Sequence, residues 1–268
     1  MRVVVKIGGS LMKDGVPEAL VDDIVLLSPT HQFVLVHGGG DVVTEMAIRL
    51  GKEQRFVVSP DGIRSRYTDK ETAEIYQMVM SGLLAKRLVL ALGKAGVRSI
   101  SLSGPDGRLM QAKRKTKLVI VDERGRKVAI DGGYTGRIQE VNSSLIELLL
   151  SQGYLPVVSP VAIGEAGEPL NVDGDRAAAS VALGSKADAI VFATNVDGLK
   201  LDGGLVVHLT PAEATSRLGE VGFGMQKKVM AAVEAVQAGV KEAIICSGTR
   251  SSPLTKALAH DKCTVIAN

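Results

Sequence analysis

Seven short apolar runs punctuate the chain, at 3–6, 33–37, 99–103, 155–159, 189–193, 242–246 and 263–267. Most are rich in Val, Ile and Leu and do not alternate with polar residues. Runs this short, apolar on both faces, predict strands buried on both sides, as in a parallel sheet. Between them the pattern lengthens to a helical period, near 17–27, 40–50, 69–95, 142–152, 174–185 and 225–239. This alternation predicts an α/β fold with a mainly parallel sheet. The stretch "LVIVDERGRKVAI" departs from it. Two strand-like runs flank a charged turn holding Gly125, which predicts a β-hairpin. A second irregular stretch, "VAIGEAGEPLNVDGD", separates two halves, with a lobe boundary near residue 170.

Composition narrows the class. The 268 residues are 46% hydrophobic and 23% charged, ordinary for a globular protein with a real core. Cys246 and Cys263 lie in apolar runs with no CxxC spacing, which predicts two buried free thiols in a reducing compartment. Lys6 interrupts the first apolar run, so no signal peptide is expected. No run of about eighteen apolar residues occurs, so no membrane span is expected either. A net charge of +3 and 3% aromatic residues argue against nucleic acid as a partner.

Candidate chemistry gathers where strands end. "VVVKIGGS" closes a buried strand on Lys6, Gly8 and Gly9, and "VLVHGGGDVV" closes another on His37, Gly38, Gly39 and Gly40. Glycines at a strand-to-helix turn let the backbone approach an anion, and amides at a helix N-terminus can bind it. Two such loops favour a phosphate over a plain tight turn. His37 is expected to cap or pack. There is no GxxxxGK[ST], GxGxxG after a strand, HExxH, EF-hand loop, zinc spacing or GxSxG. In "LNVDGDRAAAS", Asn171, Asp173 and Asp175 precede an alanine-rich helix, and three such side chains exceed what an N-cap needs. The spare ones can orient lysines or join a magnesium shell. "TNVDGL" forms a turn at the sheet's C-terminal edge, where a base or ribose can rest. Lys227 and Lys228 open a helix in "GFGMQKKVM", an unfavourable place for cations unless one meets an anion. Arg64 and Arg66 precede a helix capped by Thr68 or Asp69, and either arginine suits a carboxylate.

Seven stretches, "KIGGS", "HGGG", "RYTDKET", "SGPDG", "NVDGDRAAA", "TNVDGL" and "GMQKKV", stand in the order found in the amino acid kinase family. The resemblance spans essentially the whole chain and is strongest to the N-acetylglutamate kinase group. Within it, "SRYTDKET" and "DGGYTGRIQEVN" resemble the lysine-biosynthesis branch. Those enzymes phosphorylate the side-chain carboxylate of 2-aminoadipate held by its amino group on a small acidic carrier protein, and some relatives accept carrier-linked glutamate.

The resemblance implies an open three-layer αβα sandwich, with a β-hairpin over the substrate site. Residues 1–170 would form a substrate-binding and dimerisation lobe, and 171–268 an ATP-binding lobe. It assigns catalysis to Lys6, Lys228 and Asp175, the last orienting both lysines, and makes Lys227 a spectator. Gly8, Gly9, Gly38 and Gly39 would cradle phosphate. Gly39, Gly40, Arg66 and Asn171 would bind substrate, with Arg66 rather than Arg64 on its carboxylate. Thr194, Asn195, Asp197, Gly198 and Lys228 would bind nucleotide. ATP and Mg2+ are implied, with no protein ligand to the metal assigned. The chain starts at its first strand, without the N-terminal helix of the arginine-regulated hexamers, so a cytoplasmic homodimer without that feedback is expected. The alternatives are an N-acetylglutamate kinase of arginine biosynthesis and a non-catalytic amino-acid or nucleotide sensor on the same fold. The basic residues Lys113, Arg114, Lys115 and Lys117, with Arg124, Arg126 and Lys127, form either a docking surface for the acidic carrier or a solvated hairpin.

Overall fold

The computed structural model describes residues 1–268, the side chain of Phe223 apart. Its central sheet has eight strands: β1 (Arg2–Ile7), β2 (Gln32–His37), β3 (Ser99–Leu102), β4 (Leu155–Val158), β5 (Ala189–Thr194), β6 (His208–Leu209), β7 (Glu242–Ser247) and β8 (Thr264–Ala267). They lie in the order β6-β8-β7-β5-β1-β2-β4-β3. The six strands from β7 to β3 in this order run parallel, and β8 turns back antiparallel on β7. All seven apolar runs are strands of this sheet. The eighth, β6, has two residues and no apolar signature. Strands from the two sides of residue 170 do not intermix: β1 to β4 make one half, β5 to β8 the other, and β1 pairs with β5 at the seam.

The strands are apolar on both faces because both faces are covered. Val4, Val34, Val36, Ile190 and Phe192 pack on one side against α5 (Ser143–Ser151), α6 (Gly174–Gly184) and α8 (Phe223–Gln237). Val3, Val5, Ile7, Leu35 and Val191 pack on the other against α1 (Glu18–Leu27), α2 (Gly40–Arg49), α3 (Lys70–Gln77), α4 (Ala85–Lys94) and α9 (Pro253–Leu258). Each such side chain contributes about 1.5–3 kcal/mol when fully buried. The result is the three-layer αβα sandwich. Asp23 of α1, 2% exposed, caps α9 from a distance, accepting from the amides of Leu254 at 2.6 Å and Thr255 at 2.8 Å.

Several expectations need correcting. The stretch 69–95 is not one regular helix: α3 passes through a π-helical segment, Met78–Leu84, before α4. By length and composition Lys70–Lys94 is apolar enough to cross a membrane, but Leu84, Leu88 and Leu92 are fully buried in the sandwich. The short helices α7 (Pro211–Ser216) and α9 have too few residues to display a period. The basic cluster is not one hairpin. The expected ribbon exists, Lys117–Val121 against Lys127–Asp131. Lys113 and Arg114, however, belong to Met110–Arg114, which pairs with Gly136–Val141 in a separate four-stranded sheet. A further hairpin, Phe56–Val58 with Arg64–Arg66, carries both candidate arginines.

Candidate active site

Lys6 points from β1 toward α6, the side on which Val4 also packs. The first turn of α6 presents Asp175. Asp173 supplies the N-cap, accepting from the amides of Asp175 and Arg176, which leaves the Asp175 carboxylate for other partners. Its Oδ1 lies 2.7 Å from Lys6 Nζ and its Oδ2 lies 3.5 Å from Lys228 Nζ on α8. One carboxylate thus holds two ammonium groups from elements 222 positions apart, 6 and 228. Burial opposes the charge on Asp175, but the two lysines outweigh it and hold the carboxyl below its ordinary value. Lys228 is displaced downward, chiefly by burial, with the Lys6 charge adding to the effect and Asp175 resisting it.

The glycine loops close this site from beneath, back to back. A Cβ on Gly9 would stand 2.8 Å from the Gly39 nitrogen, and one on Gly38 would stand 2.7 Å from the Gly9 nitrogen. Gly39 adopts φ +153, and a Cβ there would meet Leu84 Cδ1 at 2.0 Å. No other residue type fits these positions. The four glycines are not equivalent. The Gly8 amide donates to the Ala193 carbonyl at 2.9 Å and the Gly38 amide to the Ile7 carbonyl at 2.8 Å, so both continue the sheet ladder. Among the described residues, the amides of Gly9, Gly39 and Gly40 have no carbonyl partner. These three amides are therefore available to an anion, whereas those of Gly8 and Gly38 are engaged in the ladder.

His37 is fully buried. Its Nδ1 lies 3.0 Å from the Gly38 carbonyl and its Nε2 lies 3.0 Å from Ser159 Oγ. Burial pushes its pKa down to about 4, aided by the charge of Lys6. It packs, as expected. Arg66 reaches the second loop: its Nη2 donates to the Gly40 carbonyl at 2.7 Å and to Thr44 Oγ1 at 2.9 Å, while Nη1 donates to Gln54. Arg64 stacks on Phe56 at 4.0 Å. Asp69 caps α3, and Thr68 is buried, accepting from Asn171 Nδ2 at 2.9 Å. Asn171 and Arg66 are thereby linked through one short segment. That segment also anchors the root of the ribbon, where the Tyr134 amide donates to the Thr68 carbonyl.

On the other half, Thr194 ends β5, its α-carbon 3.7 Å from a Cβ placed on Gly8. Asn195 and Asp197 are exposed at the rim. Gly198 is buried and closely packed: a Cβ would lie 2.5 Å from Thr264 Oγ1. The helix carrying the lysine pair starts at Phe223, two residues earlier than expected, so Lys227 and Lys228 sit past its first turn. Lys227 is not idle. It lies 3.8 Å from Asp173 and donates to the Arg64 carbonyl at 3.1 Å, tying the two halves together. Its sequence carried no signal for this. Arg114, counted among the basic residues of the expected docking surface, is engaged elsewhere: it donates to the Gly133 carbonyl and covers the Tyr134 ring at 4.1 Å. Lys113, Lys115 and Lys117 remain exposed. No group of three or more His, Cys, Asp or Glu gathers into a metal site among the described residues.

Comparison with known proteins places this geometry among relatives. The profile of the amino acid kinase family matches residues 1–247. The LysW-aminoadipate/LysW-glutamate kinase of Saccharolobus solfataricus is 42% identical over 267 residues, covering 99% of both chains. A Cenarchaeum symbiosum protein provisionally given that name is 54% identical over 266 residues, again with 99% of both chains covered. Among solved structures, N-acetylglutamate synthase from Neisseria gonorrhoeae, complexed with coenzyme A and N-acetyl-glutamate, superposes with TM-score 0.81 at 25% identity. The match covers 100% of this chain and 59% of that one. Carbamate kinase from Giardia lamblia bound to AMP-PNP gives TM-score 0.71 at 18% identity, covering 99% and 98%, a likeness of fold alone.

Proposed function

The chain belongs to the amino acid kinase family, and on that premise we propose that it transfers the γ-phosphoryl group of ATP to the side-chain carboxylate of carrier-linked 2-aminoadipate or glutamate. The observation that carries this reading is the buried Lys6–Asp175–Lys228 cluster beside the paired glycine loops. Full-length identity of 42–54% to proteins named for that reaction supports the substrate class.

The acceptor carboxylate is ionised near neutral pH and needs no general base. Its oxygen attacks the γ-phosphorus, the bond to the β–γ bridging oxygen breaks, and ADP leaves. Two anions must approach each other, so catalysis is positioning and charge stabilisation. Lys6 neutralises charge between acceptor and γ-phosphate, and Lys228 meets the leaving side. The free amides of Gly9, Gly39 and Gly40 hold the transferring group. Asp175 keeps both lysines aimed at the same point. Arg66 and Asn171 would fix the acceptor, and Thr194, Asn195 and Asp197 would border the nucleotide. Mg2+ would supply further charge neutralisation on the bound triphosphate, with no side chain of this chain assigned to hold it. In this reading 1–170 is the substrate lobe and 171–268 the ATP lobe of a cytoplasmic homodimer serving lysine, and with glutamate also arginine, synthesis. Lys113, Lys115 and Lys117 would steer the acidic carrier.

The test is to supply ATP with each of carrier-linked aminoadipate, carrier-linked glutamate and N-acetylglutamate, and to trap the acyl phosphate with hydroxylamine. Trapping with the carrier-linked acceptors is expected. Turnover of N-acetylglutamate alone would reassign the enzyme, and turnover of none would leave a binding protein.

A further inference from the structure

The second glycine loop is held by groups outside the catalytic cluster. His37 Nδ1 faces the Gly38 carbonyl, which can only accept, so the ring proton sits on Nδ1. In the neutral ring Nε2 is then an acceptor, and the Ser159 hydroxyl at 3.0 Å donates to it. Ser159 Oγ also lies 3.3 Å from the Met80 carbonyl. That carbonyl accepts the Ala85 amide within the π-helical segment. The wider turn places Met80 and Leu84 beneath Gly39: a Cβ there would meet Met80 Sδ at 3.3 Å and Leu84 Cδ1 at 2.0 Å. The loop backbone is thus gripped on its carbonyl side by His37 and from below by the π-helical segment, while Ser159 touches both. His37 and Ser159 are both fully buried.

We propose that His37 and Ser159 are positioning residues for phosphoryl transfer, holding the Gly38 carbonyl so that the Gly39 and Gly40 amides face the site of Lys6. The proposal rests on the kinase reading for its effect on rate, and on the geometry alone for the hydrogen bonds. Neither side chain touches the reacting atoms. The imidazole serves as a fixed Nδ1–H donor, and its burial, which lowers its pKa to about 4, keeps that tautomer in place at working pH. A displacement of about 1 Å in a positioning element costs on the order of 100-fold in rate, which sets the scale of the expected effect.

The experiment compares the full-length wild type with His37→Asn, His37→Gln and Ser159→Ala, each with ATP and carrier-linked aminoadipate. Asn retains a donor near the Nδ1 position and Gln does not. His37→Gln is expected to lower kcat by about 10- to 100-fold, with the acceptor KM within about twofold. His37→Asn should recover most of that loss, and Ser159→Ala should fall between. In parallel, ¹⁵N NMR of the imidazole in the ligand-free protein should show a neutral Nδ1–H ring from about pH 8 to pH 5. An Nε2–H tautomer, a titration near the ordinary value of about 6.5, or three variants all within twofold of wild type would overturn the proposal. If the His37 variants do not fold, Ser159→Ala and the NMR measurement decide. Should the wild type phosphorylate no acceptor, the kinase reading fails by itself, and the tautomer still upholds or overturns the hydrogen-bond assignment.

Discussion

Lys6, Asp175 and Lys228 form a set in which no member is separable from the others. In the proposed reaction Lys6 is a preorganised cation facing the developing charge, so Lys6→Ala is expected to lower kcat by about 10²- to 10³-fold. The companion change Asp175→Asn leaves the buried Lys6 ammonium and the half-buried Lys228 ammonium without their counter-ion, and breaking the buried Lys6 pair in this way costs about 3–5 kcal/mol. Urea unfolding of Asp175→Asn beside wild type measures that loss. The downward displacement of Lys228 predicts that activity declines at a pH below the ordinary lysine range, as its charge is lost. His37 predicts a different pH effect, on stability. Its value in the fold is about 4 against an ordinary 6.5, so the unfolded chain takes up a proton first as pH falls. Stability should therefore drain away between those values, by at most about 1.4 kcal/mol per pH unit. Asp175 acts in a lower window: its contribution is present above the unfolded value and disappears as pH falls through the depressed folded one. His37→Gln should flatten the upper slope in urea melts between about pH 4.5 and 7.5, and an unchanged slope would assign it to other groups.

At the scale of elements, what was legible followed the length of the repeating signal. The seven apolar runs and the helices of nine residues or more announce themselves by burial on both faces or by a 3.6-residue period. Two-residue β6 and six-residue α7 and α9 are too short to show a repeat; α7 is started by a local capping box of Thr210 and Glu213, whereas α9 is held from elsewhere in the chain. The cap on α9 shows how: its acceptor is Asp23, 231 residues from Leu254. Asp23→Ala would leave buried amides without a partner, with an expected loss of about 1–3 kcal/mol. Faster amide exchange confined to 253–258 would mark the effect as local. The π-helical segment could not be read from 69–95 because no local pattern marks it; its Met80 and Leu84 lie against the second glycine loop. Lys227 was passed over for a similar reason, since its partners Asp173 and Arg64 come from distant elements.

For the whole molecule, the seam between β1 and β5 divides the sheet into one half from each side of residue 170. Lys6 and Lys228 come from opposite sides of it, so their cluster on Asp175 forms only when both halves are assembled. Amide exchange should map them separately: a non-hydrolysable ATP analogue should protect 189–198 most, and the acceptor should protect 64–68 and 171. Reversing the charges of Lys113, Lys115 and Lys117 together should lower kcat/KM for the carrier-linked acceptor at low salt, by roughly tenfold or more, and the difference should shrink as salt screens it. Arg114 belongs outside that set, because its guanidinium is engaged on Gly133 and Tyr134. The order of residues was enough to establish the α/β class, the strands that build the sheet and the two glycine loops, because each is written in a local run whose side chains all face the same environment. Which amides of those loops are free, that Lys227 is braced on Asp173 and Arg64, and where the basic residues point were decided by three-dimensional packing. Those outcomes depend on distances between segments far apart in the chain, and a local pattern carries no record of them.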